Sequence, residues 1–216
     1  MHGAKKRMSR FPDSKLTPGE RLQRKGQESK PLLRNLIVIG ASAGGHRALV
    51  EILKYFSVDT PTAMVILLHV PLGSAYSLKE SLGRFSRVPI IDVKEQETVQ
   101  EGFILVPPAG RSATFSDGLI RVEEDSPPRP VSTINRLFMS AAQNYGERVI
   151  GVILTGLLKD GTDGLRAVHQ AGGLTIVQDP EEAEYPDMPT NAMKELPVTF
   201  CLKVGRHWPR SGTAGS

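Results

Sequence analysis

The chain has 216 residues, of which 39% are hydrophobic and 23% charged, and this composition is ordinary for one globular domain with a substantial core. Its single cysteine, Cys201, excludes an internal disulfide framework and a cysteine-based metal cluster. The longest apolar run, AMVILLHV with its neighbours, is far shorter than the roughly 18 residues of a membrane span, and the N-terminus lacks the apolar region of a secretory signal. We therefore expect a cytoplasmic protein with no transmembrane segment.

The net charge of +4 is unevenly distributed along the chain. Residues 1–34 contain ten Lys or Arg and three Asp or Glu, so they carry +7 and the rest of the chain carries −3. We therefore expect no nucleic-acid binding by the folded part. Residues 1–34 lack any strand or helix periodicity and predict a disordered tail, and 206–216 predict a loose C-terminal tail. Two interpretations of the basic tail stay open: a solvated leader, or an arm that contacts an anionic surface of lipid, protein or nucleic acid.

In the first half of the folded part, apolar runs alternate with segments of helical spacing. NLIVIG is a continuous β-branched run, as expected of a strand buried on both faces, and GHRALVEILKYF repeats its apolar residues at helical intervals. AMVILLHV predicts the next strand and SLKESLGRF the next helix. VPIIDV and GFILVPP are typical of strands, and ATFSDGLIRVEE, with the turn signal Asp117-Gly118, predicts a hairpin.

The second half continues the alternation. TINRLFMSAAQNYG predicts a helix that ends near Gly146, VIGVILTG is a third strongly apolar strand, and DGLRAVHQAGG predicts the helix after it. GLTIVQD and VTFCLKV complete the predicted strands. This order predicts an α/β fold: a mostly parallel, doubly wound β-sheet with helices on both faces, plus a small β-hairpin.

Polar residues follow the three most apolar strands. Ser42 comes after LIVIG, His69 ends MVILLH, and Asp160 lies in LTGLLKDG. Ligands of parallel sheets bind beyond the carboxyl ends of the strands, so these three side chains are expected to share one edge of the sheet. A serine, an imidazole and a carboxylate are the parts of a nucleophile–base–orienter triad.

The segment around Ser42 supports this interpretation. Residues 40–44, GASAG, match G-x-S-x-G, which places a serine on a tight turn between a strand and a helix. A phosphate-binding or dinucleotide loop is the competing interpretation. However, serine stands where the second glycine of G-x-G-x-x-G is needed, and no P-loop lysine follows. His69, and no acidic residue, ends the next strand.

Other residues compete for two of the three roles. His46 lies four residues beyond Ser42 and would reach the pocket mouth, although its side chain is expected to point along the helix. His169 falls inside a predicted helix and is expected to be packed or solvated. Asp163 competes with Asp160, but it begins a predicted helix and is explained there as an N-cap or first-turn residue.

Six ordered motifs carry a resemblance to a known family. IVIGASAGG, LLHV, EGFILVPP, RPVSTINRLFMSAA, VIGVILTGLLKDGTDGL and QAGGLTIVQDPEEAEYPDMPTNAM together resemble the catalytic domain of the chemotaxis protein-glutamate methylesterase (CheB) family. We therefore expect a domain of this type over 35–205. The resemblance implies a Ser-His-Asp triad in that chain order, which by motif is Ser42, His69 and Asp160.

The resemblance also implies the reaction and its partner. The reaction is hydrolysis of glutamate γ-methyl esters on cytoplasmic helices of methylated chemoreceptors, with deamidation of receptor glutamines as an associated activity. No metal or other cofactor is expected, because ester hydrolysis needs only a nucleophile, a base and an oxyanion site. We interpret the backbone N–H groups of Ala43, Gly156 and Leu157 as the oxyanion donors.

The chain also departs from the family pattern. Arg111 stands where a histidine is common, Asn135 where an aspartate is frequent and Leu157 where a methionine is frequent. About 35 basic residues precede the domain where the family usually has a receiver domain, so we expect no phosphorylation control of that kind. The alternative function is a catalytically degenerate α/β binding or adaptor module, or an anion-binding domain, in a signalling pathway.

Overall fold

The computed structural model describes residues 35–58, 60–70, 77–123 and 132–204. The strands in these ranges are β1 (Asn35–Ala41), β2 (Thr62–Leu68), β3 (Ile90–Asp92), β4 (Gln96–Thr98), β5 (Ile104–Val106), β6 (Ala113–Ser116), β7 (Leu119–Val122), β8 (Val149–Ile153), β9 (Leu174–Gln178) and β10 (Phe200–Leu202). The helices are α1 (Gly45–Leu53), α2 (Leu78–Gly83), α3 (Thr133–Tyr145), α4 (Thr162–Gln170) and α5 (Asp187–Glu195), and a 3₁₀ turn follows α3 at Gly146–Arg148.

The main sheet has seven strands in the order β10-β9-β8-β1-β2-β5-β3. Every neighbouring pair in it is parallel. The central strands β1 and β2 are buried along almost their whole length, as their continuous apolar sequences require. The predicted parallel α/β sheet is thereby confirmed.

Helices cover both faces of this sheet, and the strand residues alternate between two apolar cores. Ile37 and Ile39 belong to one core together with α1 and α2. Leu36 and Val38 belong to the other, together with α3, α4 and α5. This alternation is the period of two of a β-strand, and it makes the sheet doubly wound, as predicted.

The predicted hairpin is part of a three-stranded antiparallel sheet, β4-β7-β6. Asp117 and Gly118 form its turn with φ values of 53° and 76°, the pair of positive angles that suits a tight hairpin. Phe115 and Ile120 face the same core as α3. Sequence reasoning missed β4 because its three residues, QET, have no apolar side chain to show a strand period.

Helix α5 was also missed by the sequence analysis. Its sequence, DMPTNAMKE, buries only Met188, Pro189 and Ala192, too few apolar residues to give a clear helical period. None of the described helices is long and apolar enough to cross a membrane. The tails predicted over 1–34 and 206–216 lie outside the described residues, so they stay predictions.

Candidate active site at the carboxyl ends of the central strands

Ser42 and His69 lie side by side at the carboxyl edge of the sheet. The β1–β2 register pairs Ala41 with Leu68, and each candidate residue follows directly. The backbone N–H of His69 donates to the carbonyl of Ala41 at 2.9 Å, which continues the ladder one step beyond the paired strands. Neighbouring strands are about 4.8 Å apart, so the register alone places the two residues next to each other.

The turn from β1 into α1 depends on glycine. Gly44 has a φ of 74°, a left-handed conformation that favours glycine. A Cβ at Gly45 would lie 2.7 Å from both Ala41 Cβ and a Leu68 methyl, so the helix packs there with no space for a side chain. Ser42 itself is not in a left-handed conformation, since Asp117 and Leu158 are the described non-glycine residues with positive φ. The serine is therefore presented without backbone strain of that kind.

His69 contacts Asp160 across the end of β1. Its Nε2 lies 3.1 Å from Asp160 Oδ2, and the Asp160 side chain is only 11% exposed. The carboxylate accepts from the backbone N–H groups of Ile134, at 3.1 Å, and Asn135, at 3.2 Å, in the first turn of α3. It also accepts from the N–H of Gly161 at 2.8 Å. Both carboxylate oxygens are thus fixed by backbone donors, and the N-terminus of a helix favours a negative group at this position.

Thr133 is a second partner of the histidine, and sequence reasoning did not single it out. Its Oγ1 lies 2.9 Å from His69 Nε2. Its sequence signal was weak, because a threonine at the start of a predicted helix is explained by capping alone. Nε2 is directed at Asp160 and Thr133, and Nδ1 is the ring nitrogen that takes no part in these two contacts. The described residues contain no hydrogen bond between Ser42 Oγ and the ring.

The loop 154–161 brings Asp160 to this edge and is held by Thr155. The Thr155 carbonyl accepts from the N–H of Ser42 at 3.1 Å. Its hydroxyl lies 3.0 Å from the carbonyl of Ala43 and accepts from the N–H of Tyr185 at 2.8 Å. Gln178 Oε1 accepts from the N–H of Thr155 at 2.9 Å. The turn that carries Ser42, loop 154–161 and the segment before α5 are therefore joined through one buried threonine.

The backbone donors predicted for an oxyanion differ in availability. The N–H of Gly156 donates to the carbonyl of Tyr185 at 2.9 Å, so the structure does not leave it free for an oxyanion. This corrects the prediction for Gly156, which fails because the segment before α5 folds back onto the loop. In the described part of the chain, the N–H groups of Ala43 and Leu157 have no hydrogen-bond acceptor. Those two donors stay predictions.

The competing residues occupy other surroundings. Asp163 lies in the first turn of α4, is paired with Arg166 and has a side chain that is 57% exposed. His169 is exposed in the last turn of the same helix, away from the strand ends that carry the site. His46 lies in the first turn of α1. Of these candidates, the structure brings Asp160 to His69 and gives Asp163 the first-turn position expected for it.

Two of the unusual residues support the scaffold. Asn135 is buried, and its Oδ1 accepts from the N–H of Gly164 at 2.7 Å. Arg111 donates from Nη2 to the carbonyl of Glu123 at 2.6 Å. Leu157, in contrast, is 50% exposed beside the site. Within the described ranges, no three His, Cys, Asp or Glu side chains are grouped so that they could hold a metal ion.

A doubly wound parallel sheet with a serine, a histidine and a histidine-bound carboxylate at its strand ends is similar to the arrangement of residues in the class of Ser-His-Asp hydrolases. Comparison with known proteins agrees with this class. The family model described as CheB methylesterase matches residues 37–207. The chain belongs to the CheB methylesterase family.

Individual relatives give the same picture. The protein-glutamate methylesterase/protein-glutamine glutaminase 2 of Anaeromyxobacter dehalogenans is 35% identical over 165 residues, which are 74% of this chain and 48% of that protein. A relative of the same description from Mesorhizobium japonicum is 35% identical over 179 residues, 81% of this chain and 52% of its own length. The chain thus spans about half the length of the curated relatives it matches.

A solved structure matches over a larger share of its own chain. The crystal structure of the Thermotoga maritima CheB methylesterase catalytic domain has a TM-score of 0.71 with this protein at 28% identity. The match covers 80% of this chain and 94% of that one. The similarity therefore extends over nearly the whole of that catalytic domain.

Proposed function

We propose that this protein is a serine hydrolase that cleaves glutamate γ-methyl esters on methylated chemoreceptors, giving glutamate and methanol. The observation that carries the proposal is the 3.1 Å contact between His69 and Asp160 beside the strand-end Ser42. The names of the relatives, which include protein-glutamate methylesterase, supply the substrate class. A degenerate binding module has no comparable support, because all three triad side chains are present at one edge of the sheet.

The proposed reaction has two stages. Ser42 Oγ attacks the ester carbonyl while His69 Nδ1 takes its proton, and Asp160 holds the ring through Nε2. The tetrahedral intermediate collapses, the imidazolium returns the proton to the methoxy oxygen, and methanol leaves an acyl-serine. Water, deprotonated by His69, then attacks the acyl carbonyl and releases glutamate and Ser42.

The negative oxygen of the tetrahedral intermediate needs fixed donors. The N–H groups of Ala43 and Leu157 are the proposed donors, assisted by the N-terminus of α1 directly after the turn. Ser42 lies between the two segments that supply them. Removing one such donor in other acyl-transfer enzymes costs roughly 10²–10³ in kcat.

Deamidation of receptor glutamines is proposed as a second reaction of the same site. An amide carbonyl would form the same acyl-serine with ammonia as the leaving group, and hydrolysis would again give glutamate. The relatives' printed names include protein-glutamine glutaminase. A cytoplasmic location is proposed together with this partner, since the receptor helices that carry the esters are cytoplasmic. The +7 charge of residues 1–34 supports contact of that tail with an anionic surface.

The test uses receptor cytoplasmic fragments carrying labelled methyl esters. The full chain is expected to release labelled methanol, and Ser42→Ala is expected to release none above the rate without protein. Unfolding by urea should be nearly the same for both proteins, because Ser42 is only partly buried and the substitution removes a single oxygen atom. Methanol release that survives Ser42→Ala, or a well-folded unmodified chain that releases none, would contradict the proposal.

A further inference from the structure

Leu158 combines two features that do not stabilise the fold. Its φ is 66°, a left-handed conformation that is unfavourable for a residue with a Cβ. Its side chain is 76% exposed, so the leucine gains little from burial. A strained residue at the edge of an active site points to a function, because the fold alone would favour glycine or asparagine there.

The backbone of Leu158 is held in this conformation by α5. Its N–H donates to Asp187 Oδ2 at 3.3 Å, and its carbonyl accepts from Asn191 Nδ2 at 2.8 Å. Both the donor and the acceptor of this peptide segment are therefore anchored by one helix. Because these two hydrogen bonds fix the backbone of Leu158, they also fix the direction of its side chain toward solvent.

The position of Leu158 relates it directly to the reaction. It lies two residues before Asp160 and two after Gly156, which packs against the nucleophile. A Cβ at Gly156 would lie 2.8 Å from Ser42 Cβ. Exposed apolar side chains continue along the same segments, with Leu157 50% and Tyr185 37% exposed.

We propose that Leu158 is a specificity-determining residue that makes an apolar contact with the receptor helix, on the face that carries the methyl ester. The inference rests on the proposed function and deepens it, because it adds a contact that a receptor helix would make and a small ester would not. Leu158 is exposed in the short segment between Gly156, which packs against Ser42, and Asp160, so a helix whose ester group reaches Ser42 would pass beside this leucine. An esterified glutamate is uncharged, so the helix face around it presents less charge to this leucine than an unmodified one.

The test measures one ratio, kcat/KM for the methylated receptor fragment divided by kcat/KM for a small soluble glutamate γ-methyl ester. Leu158→Gly and Leu158→Asn both tolerate the left-handed conformation but remove the apolar side chain. Each is expected to lower the ratio by about tenfold through KM for the receptor, the size of effect expected when a contact residue is truncated. The thermal midpoint of both variants should equal or exceed that of the unmodified chain.

Val58→Asn is the matched control. Val58 is another exposed apolar residue, 56% exposed, in the connection between α1 and β2 at the opposite edge of the sheet. It should leave the ratio unchanged. An unchanged ratio in both Leu158 variants, with receptor demethylation by the unmodified chain intact, would overturn the inference alone. No receptor demethylation by the unmodified chain would overturn the proposed function and this inference together.

Discussion

Asn135 and Gly164 join the first turns of α3 and α4 at a point where the two helices are in close contact. Asn135 Oδ1 accepts from the N–H of Gly164 at 2.7 Å. A Cβ at Gly164 would lie 2.6 Å from Phe138 Cβ and 2.8 Å from the carbonyl oxygen of Asn135. The same turn of α3 donates two N–H groups to Asp160, so this helix contact supports the carboxylate that faces His69.

Gly164→Ala is therefore expected to destabilise the protein, although alanine is intrinsically the better helix former. The clash involves backbone atoms that cannot move aside, and overpacking of this kind costs about 1–3 kcal/mol. Urea unfolding measures the free energy of unfolding. Gly83→Ala is the control, because it lies in α2 with nothing within 4 Å of the new Cβ. Its expected change is a gain of up to about 1 kcal/mol; a gain of similar size at Gly164 would show that the helices are not in close contact.

Asp160→Asn should reduce both activity and stability. The loss of ester turnover is expected to be on the order of 10⁴, the size seen when the corresponding aspartate of a serine protease becomes asparagine. Whichever oxygen becomes an amide nitrogen, it meets a backbone N–H donor, which should cost about 1–2 kcal/mol. Steady-state hydrolysis of a small methyl ester and urea unfolding measure the two effects.

The control for this variant is Asp163→Asn. Asp163 is exposed and paired with Arg166, so its replacement should change the free energy of unfolding by no more than about 0.5 kcal/mol and leave turnover near normal. If Asp163→Asn abolishes turnover and Asp160→Asn is tolerated, the assignment of the carboxylate is wrong.

Thr133→Val tests whether the Thr133 hydroxyl positions the imidazole. Valine keeps the shape of the side chain but removes the group 2.9 Å from His69 Nε2. One such hydrogen bond contributes about 1 kcal/mol, so kcat should fall by roughly five- to tenfold with little change in KM. Thr133→Ser restores the hydroxyl and should recover most of the rate. Equal loss in both variants would indicate a packing role.

Tyr145→Phe is expected to be neutral or stabilising, with an effect that depends on pH. Tyr145 is buried, and its hydroxyl has no hydrogen-bond partner in the part of the chain that the structure describes. Burial raises the pKa of Tyr145 above its ordinary value of 10.0, while the positive charge of Arg148 partly opposes the shift. The unfolded chain therefore loses the phenolic proton first as the pH rises, and the folded state is destabilised from about pH 10 upward.

The measurement is urea unfolding of both proteins at pH 7 and at pH 10.5. The variant should gain up to about 1 kcal/mol at pH 7, because it removes an unpaired hydroxyl. The difference in free energy of unfolding between Tyr145→Phe and the unmodified chain should increase at pH 10.5, since phenylalanine cannot ionise. A difference that is constant with pH would show that the pKa of Tyr145 is not raised in the folded state, and a loss of stability at pH 7 would show that the hydroxyl makes a stabilising hydrogen bond.

Sequence reasoning located Ser42 and His69 because the two strands that carry them are continuous apolar runs. The carboxyl end of such a strand is visible in the sequence as the end of the apolar run. Parallel pairing then places the residues that follow the two strands close together. The position of Asp160 is less predictable from sequence, since the residue lies seven residues beyond the end of β8. The direction of its side chain depends on the fold of loop 154–161. The helical pattern of the segment after Asp160 predicts Asp163 at a helix start, which favours Asp160 as the partner of His69. Helix α4 begins at Thr162, in agreement with that pattern.

The parts that escaped prediction depend on contacts distant in the sequence. Thr133 meets His69 only because the N-terminus of α3 reaches the carboxyl edge of the sheet. The N–H of Gly156 donates to the carbonyl of Tyr185, which lies in a segment whose sequence has no strand or helix periodicity. Strand β4 forms by antiparallel pairing with β7. Its three polar residues give no alternation of apolar side chains from which this pairing could be predicted.

The pairing of β1 with both β2 and β8 also determines when the proposed active site is assembled during folding. Leu36 pairs with Ala63 on one side and with Val149 on the other. The central strand β1 must therefore pair with β8, which is more than 100 residues away in the sequence. Such pairings form slowly, because the entropy of closing a long loop is lost before the contact stabilises anything. Early helices and the local β6–β7 hairpin can form without bringing Asp160 to His69. Ester hydrolysis in a refolding sample therefore reports completion of the central sheet, and it lags behind the recovery of helical signal.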